Sequence, residues 1–149
     1  MKTYTEQELV AQPIGYWSGE AYRAVVGRIR DDLAVEQLTQ PHWWILNHVA
    51  GAPGTWTRAG LTERLGSFDD LGIDFNDVFA DLIGRRWMTE EAEALTLTKD
   101  GEEGRLRAKD RSNQAQIQMH KGIQPEEYAA CLNVLRRMIF NLGGNSDLP

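Results

Sequence analysis

The chain has 149 residues, of which 26% are charged and 42% hydrophobic, a composition typical of one globular domain. Its net charge of −6 argues against a nucleic-acid or anionic-membrane partner unless a local basic patch acts under the negative total. No apolar run approaches the roughly 20 residues that span a bilayer, and the single cysteine excludes an intrachain disulfide. We therefore predict a cytoplasmic protein without a membrane partner.

The first half of the chain predicts three helices before residue 70. Apolar residues recur at three- and four-residue steps over residues 18–37, with Ser18 as the predicted N-cap. A second helix over residues 41–51 opens with a proline and ends at a glycine. A short third helix follows at residues 57–65, with Thr57 as its predicted cap.

The helix predicted over residues 74–86 has two faces of opposite character. With an advance of about 100° per residue, one side collects its apolar residues: Phe75, Phe79, Leu82 and Ile83. The opposite side carries Asp74, Asp77 and Asp81. This helix thus has a core face and a presented face, and the presented face is acidic.

The remainder of the chain predicts a β-hairpin and two helices. Residues 87–98 alternate like paired strands around an acidic tip, and Thr98 is the predicted cap of a long polar helix to about residue 121. The last helix, from Pro125, has a wide apolar stripe on which Cys131 is predicted to be a buried, unreactive thiol. Because the polar helix cannot cover that stripe alone, we predict a two-fold homodimer.

Three segments in this order resemble the MarR-type winged-helix regulators. LTQPHWWILNHVAGAPG (residues 38–54) resembles the second helix of the family and the loop after it. LTLTKDGEEG (residues 95–104) resembles the return strand of the wing and the start of the long helix. IQPEEYAACLNVLRRMIFNL (residues 123–142) resembles the final dimerisation helix. The resemblance covers residues 14–142.

The resemblance implies the fold class, which is mainly α with a small β-hairpin wing. It implies a single domain over residues 1–149, with dimerisation helices at about 14–40 and 99–142 and a winged helix-turn-helix lobe at about 41–98. Each lobe of the homodimer would present one helix to a major groove of double-stranded DNA and its hairpin to the flanking minor groove. A small ligand, often aromatic, would bind between the dimerisation helices and the lobe.

Five residues are the candidates for DNA contact. Arg58, Arg85, Arg86 and Lys99 are the predicted phosphate ligands, and Asn76 is the predicted base reader. The alternative for the cations is solvated charge at helix ends, where the helix dipole favours it.

The charge of the lobe departs from the family. Asp77 and Asp81 stand where the family usually has basic residues, and the acidic wing tip lacks its usual arginine. Residues 55–98 contain four basic and nine acidic side chains. The alternative hypothesis is therefore a winged-helix protein that has lost DNA binding and serves as a small-molecule binder or a protein-interaction module.

Aromatic side chains suggest where a ligand would bind. Trp17, Tyr22, Trp44 and His48 form the candidate ligand site, because such rings suit an aromatic molecule. The alternative is that the rings fill the junction between the dimerisation helices and the lobe. No motif for a catalytic residue, a metal site or a cofactor is present, so an enzyme is not predicted, and an enzymatic use of the aromatic pocket is the third hypothesis.

Overall fold

The computed structural model describes residues 1–147. Its helices are α1 (Glu6–Val10), α2 (Ile14–Ala34), α3 (Gln40–Gly51), α4 (Arg58–Leu65), α5 (Phe75–Gly84), α6 (Lys99–Met119) and α7 (Pro125–Asn141), and its strands are β1 (Met88–Glu91) and β2 (Ala94–Leu97). A 3-10 turn at Gly66–Phe68 follows α4. Within residues 1–147, no helix is long and apolar enough to cross a membrane. The chain divides into two compact units, residues 1–113 and the residues from 114 onward.

Helix α2 begins earlier than the sequence pattern predicts. Its first residue is Ile14, after Pro13, whereas Ser18 lies inside the helix and donates its hydroxyl to the Gly15 carbonyl at 3.4 Å. Proline has a fixed φ, which suits it to the entry of a helix, so the predicted cap at Ser18 was wrong. The helix also ends before the predicted boundary, and Gln37 adopts a left-handed φ of 56°.

The caps predicted for α4 and α6 are present. Thr57 accepts the Gly60 N–H at 3.1 Å, and Thr98 accepts the Gly101 N–H at 3.1 Å. Helix α5 is shorter than predicted at both ends. The side chain of Asp74 is its N-cap and accepts the Asn76 N–H at 2.8 Å, and the helix ends at Gly84, two residues before Arg86 with its left-handed φ of 61°. Each of these bonds satisfies one amide that a helix start would otherwise leave unpaired.

The core of the first unit fixes the orientation of α5. Phe75, Val78, Phe79 and Leu82 are buried, whereas Ile83 is half-buried. They pack with buried residues of the neighbouring helices and the hairpin: Leu33, Leu38, Ile45, Leu46, Val49, Leu61, Leu65, Met88, Leu95 and Ala108. Burying a side chain of this size contributes roughly 1.5–3 kcal/mol, so α5 has one strongly preferred face toward the core.

The hairpin joins α6 through a close contact at Trp87. The Thr98 N–H donates to the Trp87 carbonyl at 3.0 Å, and the Thr98 hydroxyl donates to the Arg86 carbonyl at 2.6 Å. A Cβ at Gly101 would lie 1.9 Å from the Trp87 carbonyl oxygen, and one at Gly104 would lie 2.3 Å from the Trp87 ring. Glycine is required at both positions because the first turns of α6 rest directly on Trp87.

The second unit contains α7, on which the structure shows no buried residue. Leu135 and Ile139 are half-buried, whereas six large apolar side chains of α7 and its C-cap are 38–88% exposed in the single chain: Tyr128, Leu132, Val134, Met138, Phe140 and Leu142. Cys131, predicted to be buried, is exposed. The His120 and Tyr128 rings pack edge to face, with centroids 4.7 Å apart. An apolar surface of this extent is typical of an interaction site.

Candidate nucleic-acid interface

The exposed face of α5 is narrower and less acidic than the sequence predicts. Asn76, Asp77 and Ala80 are exposed, so the predicted base reader does lie on the outward surface. Asp74 uses its carboxylate to cap the helix. Asp81 is half-buried and pairs with His42 and Arg85. Asp77 is also exposed, and within residues 1–147 its carboxylate takes part in no hydrogen bond or ion pair of the kind that occupies Asp74 and Asp81.

Asp81 and Arg85 connect α5 to the rest of the first unit. The Asp81 carboxylate lies 3.1 Å from His42 Nε2 and 2.7 Å from Arg85 Nε. The two remaining Arg85 nitrogens donate to the carbonyls of Glu36 and Gln37 at 3.1 and 2.9 Å. The guanidinium thus closes the turn between α2 and α3, and this structural use competes with the phosphate contact predicted for Arg85.

Arg58 is neutralised by the wing. Its Nη2 lies 2.5 Å from Glu90 Oε2, and its Nε donates to the same carboxylate at 3.0 Å. Its guanidinium also stands 5.8 Å from the centre of the Phe79 ring. Two parallel hydrogen bonds to one carboxylate form one of the stronger side-chain pairs. A phosphate that binds the Nε–Nη2 edge of Arg58 would compete with Glu90.

Arg86 and Lys99 leave their charge accessible at the base of the hairpin. Arg86 is exposed and adopts a left-handed φ of 61°. The Lys99 side chain is 88% exposed, with Nζ 3.7 Å from Glu103. The hydrogen bond from Thr98 to the Arg86 carbonyl holds these two backbone positions together. Two of the four predicted phosphate ligands are therefore accessible without rearrangement.

The residues predicted to bind a ligand take part in separate contacts. Trp17 donates to Gln12 at 2.8 Å and is 47% exposed, and the Tyr22 hydroxyl donates to Asp70. Trp44 and His48 are half-buried on α3, where His48 Nδ1 donates to the Trp44 carbonyl at 2.8 Å.

His48 has a further set of neighbours that the sequence did not indicate. Its ring packs edge to face on Trp56, with centroids 5.6 Å apart, and its Nε2 accepts from Arg64 at 3.3 Å. His48 thus belongs to a cluster with α4, and the four-residue ligand site remains a prediction.

His42 links α3 to α5 through contacts that the sequence did not indicate. Its Nδ1 accepts the Thr39 N–H at 3.2 Å, which places the ring proton on Nε2, where it is donated to Asp81 at 3.1 Å. Burial lowers the pKa of His42, and the charge of Asp81 opposes that effect. The sequence signal was the spacing of a capping box, in which a polar side chain stands three residues after the threonine cap.

Comparison with solved structures identifies the architecture. No family model matches the sequence, and no curated protein matches it. The repressor CouR bound to p-coumaroyl-CoA superimposes with a TM-score of 0.65 at 20% identity, over 92% of this chain and 97% of that chain. The chain has the MarR-type winged-helix fold. The Mycobacterium tuberculosis MarR family protein Rv2887 in complex with DNA matches with a TM-score of 0.64 at 19% identity, over 89% and 99% of the two chains. The reduced form of MarR from Escherichia coli matches with a TM-score of 0.62 at 15% identity, over 86% and 94%.

In the MarR-type fold, α5 is the presented helix and the β1–β2 hairpin is the wing. The wing of this chain turns at Ala92 and Glu93, which have φ values of 47° and 67°. Two consecutive left-handed residues form the type of tight turn that suits the twist of a hairpin. The turn leaves Glu91 and Glu93 exposed at the tip, so the acidic wing predicted from the sequence is present.

The lowered pKa of His42 predicts a loss of stability in mild acid. The unfolded chain takes up a proton near pH 6.5, whereas the folded chain takes it up only at lower pH. The unfolded state therefore binds more protons below about pH 6.5, and the free energy of unfolding falls as the pH drops through that value. Urea unfolding at pH 7.5, 6.5 and 5.5, at one protein concentration, measures the fall.

The variant His42→Gln isolates this contribution, because glutamine does not titrate and the other two histidines remain. We expect His42→Gln to be less stable at pH 7.5 and to lose less of its remaining stability on acidification. An unchanged pH profile in the variant would show that another group is responsible.

Proposed function

We propose that the chain is a dimeric, ligand-responsive transcriptional regulator that binds double-stranded DNA and has no enzymatic role. The observation that supports it best is α5, which the core holds with Asn76 outward in a fold shared with a protein solved on DNA. An asparagine side chain can read adenine through two hydrogen bonds in the major groove. Arg86 and Lys99 supply phosphate contacts beside the wing.

The homodimer is the second element of the proposal. The exposed apolar stripe of α7 needs a cover, and a second copy of the same helix supplies one of matching chemistry. We extend the predicted division to this dimer, with residues 14–40 and 99–142 as the dimerisation helices and residues 41–98 as the DNA-binding lobe. Sedimentation velocity tests it, and a monomer at micromolar concentration would contradict it.

The ligand is the third element. CouR was solved with p-coumaroyl-CoA, an aromatic thioester, and this chain has exposed or half-buried rings at Trp17, Tyr22 and Trp44. We propose a small aromatic effector that shifts the population of DNA-binding geometries. Quenching of tryptophan fluorescence by a panel of aromatic acids tests whether such a ligand binds.

A second candidate function rests on the neutralised cations. Arg58 is paired with Glu90 and Arg85 closes a turn, while Asp77 and the wing-tip glutamates remain exposed. A lobe with this charge could have lost DNA binding and could dock a basic protein surface instead. This candidate predicts no DNA affinity even at low salt.

Direct DNA binding separates the two candidates. Fluorescence anisotropy with a duplex from the upstream region of the gene, at about 50 mM salt, should give a dissociation constant in the micromolar range or below. Scrambled duplex of equal length measures the non-specific part. No binding at micromolar dimer would contradict the regulator and would favour the interaction module.

The pair between Arg58 and Glu90 makes a specific prediction within the regulator hypothesis. Glu90→Gln should raise DNA affinity about tenfold and should steepen the salt dependence by about two units of slope, because each protomer frees one cation. Arg58→Gln should lower the affinity because it leaves the Glu90 carboxylate unpaired, and the double variant, which restores the net charge of the parent pair, should return close to the parent affinity. Salt titrations of anisotropy measure all three.

The matched control is Glu91→Gln, which removes the same charge from the next residue of β1. A gain equal to that of Glu90→Gln would show that the effect is the loss of wing charge and not the release of Arg58.

A further inference from the structure

Helix α5 ends in a Schellman motif, a turn in which two amides donate back to carbonyls of the last helical turn. The Arg86 N–H donates to the Ile83 carbonyl at 2.9 Å, and the Trp87 N–H donates to the Leu82 carbonyl at 2.9 Å. The motif requires a left-handed backbone at the first of the two donors, and Arg86 has a φ of 61°. Glycine is the usual residue at this position, because it has no Cβ to strain such a backbone.

Within residues 1–147, helices α2 and α7 end in the same way. Gln37 takes the left-handed position after α2 with a φ of 56°, and Gly143 takes it after α7 with a φ of 75°. Each N–H donates at 2.9 Å to the carbonyl three residues earlier, as that of Arg86 does. Glycine ends α7 without strain, whereas a residue with a side chain in this conformation lowers stability. The arginine after α5 is therefore unfavourable for the fold.

The side chain of Arg86 has no structural use that offsets this strain. It is exposed, and within residues 1–147 its guanidinium takes part in no hydrogen bond or ion pair. The helix dipole favours a cation near this end, but Arg85 already provides one. The Thr98 hydroxyl donates to the Arg86 carbonyl at 2.6 Å, so the backbone of Arg86 is held from both sides. An unpaired cation thus stands on a fixed backbone directly after the presented helix.

This placement matters because the outward face of α5 carries no cation. Its exposed residues are Asn76, Asp77, Ala80 and Gly84, and the next arginine, Arg85, closes the turn between α2 and α3. A helix that enters the major groove has the sugar-phosphate backbone beside its ends, and a guanidinium is a strong phosphate ligand. Arg86 is therefore in place to supply the charge that the presented face lacks.

We propose that Arg86 anchors the C-terminal end of α5 on a DNA phosphate, and that the chain carries arginine there at the expense of stability. The role rests on the DNA binding proposed above. It goes further because one substitution should have opposite effects on stability and on DNA affinity. A phosphate carries no sequence information, so the anchor fixes the position of the helix and not its base preference.

Thermal unfolding without DNA, followed by circular dichroism, tests the strain. Arg86→Gly should raise the midpoint by about 3 °C, because glycine adopts this backbone without strain. Gln37→Gly is the matched control after α2 and should give a similar rise. Arg86→Gln and Arg86→Lys keep a Cβ at this φ and should be no more stable than the parent. A lower midpoint for Arg86→Gly would show that the side chain supports the fold and would overturn the proposal.

Fluorescence anisotropy with specific and scrambled duplexes tests the anchor. Arg86→Gly and Arg86→Gln should weaken binding at least tenfold at about 100 mM salt and should reduce the salt slope of a dimer by about two units. Arg86→Lys should keep most of the affinity, because an ammonium also binds phosphate as a point charge. Gln37→Gly should bind as the parent does. The loss in Arg86→Gly should be equal on both duplexes, whereas Asn76→Ala should weaken binding to the specific duplex alone.

The outcomes separate the anchor from the proposed function. Unchanged affinity in Arg86→Gly, with DNA binding intact in the parent, would overturn the anchor and leave the regulator standing. A loss confined to the specific duplex would assign Arg86 to base reading and would overturn the phosphate contact. An equal loss in Gln37→Gly would attribute the effect to glycine at a helix end. A parent that binds neither duplex would contradict both the regulator and the anchor.

Discussion

Replacing Asp77 by arginine should raise the affinity for DNA about 10- to 50-fold at moderate salt. Asp77 is exposed in the first turn of the presented helix, where a phosphate backbone would approach. Unit charges about 7 Å apart in water interact by roughly 0.6 kcal/mol before screening. Each protomer changes from −1 to +1, so a dimer gains about 2 kcal/mol, which corresponds to the expected change in affinity. Anisotropy with specific and scrambled duplexes measures it.

The control for this reversal is Asp31→Arg, which makes the same change of charge at an exposed position of α2. An equal gain from Asp31→Arg would attribute the effect to net charge and not to the presented face. If the parent binds no DNA and Asp77→Arg does, the chain is a reader that has lost its function. If the parent binds one duplex specifically and the reversal removes that preference, Asp77 reads bases. A carboxylate can do so because it accepts a hydrogen bond from the amino group of cytosine.

Asp81 is unsuitable for the same reversal, although the sequence suggests the two positions together. Its carboxylate is held by His42 and Arg85, and a cation there would face Arg85 directly. Breaking a partly buried pair by removing one partner is strongly destabilising. Loss of binding in Asp81→Arg would therefore report on folding, whereas Asp77→Arg changes an exposed side chain.

Replacing Gly101 by alanine should destabilise the protein by about 3 kcal/mol. The new Cβ would stand 1.9 Å from the Trp87 carbonyl oxygen and 2.7 Å from its carbon. These are backbone atoms, and the same carbonyl accepts the Thr98 N–H, so relief requires moving either the hairpin or α6. Overpacking of this kind costs typically 1–3 kcal/mol and sometimes more. The midpoint of thermal unfolding should fall by about 10 °C.

Gly84→Ala is the matched control, since its Cβ would meet nothing within 4 Å at the end of α5. An alanine in a helix is favoured over glycine by up to about 1 kcal/mol, so this variant should be neutral or slightly more stable. Equal losses in the two variants would show that the Trp87 contact is not the cause.

The sequence predicted the fold because the signals for its elements are local. Apolar periodicity identified the helices, Thr57 and Thr98 identified two helix starts, and the alternation around an acidic turn identified the wing. The errors also have local causes. Ser18 is a common cap residue, but Pro13 had already started α2. The short helix α1 was missed, although Thr5 and Glu8 form its capping box.

The candidate interface could be predicted only in part, because the state of a charge depends on its partners across the fold. The sequence placed Asn76, Arg86 and Lys99 at exposed positions correctly. It could not show that Glu90 pairs with Arg58, since the two lie 32 residues apart. The bonds of Asp81 to His42 and of Asp70 to Arg30 span 39 and 40 residues.

By itself, the sequence determined the order of the elements, the core face of α5 and the excess of acidic residues in the lobe. These follow from helical periodicity and composition, which need no knowledge of distant neighbours. Only the tertiary structure decided which of those charges remain accessible. It paired Arg58 with Glu90 and Asp81 with Arg85 and His42, and it left Asp77 exposed. The reason is that packing α3, α5 and the wing together brings side chains of distant segments within hydrogen-bonding distance.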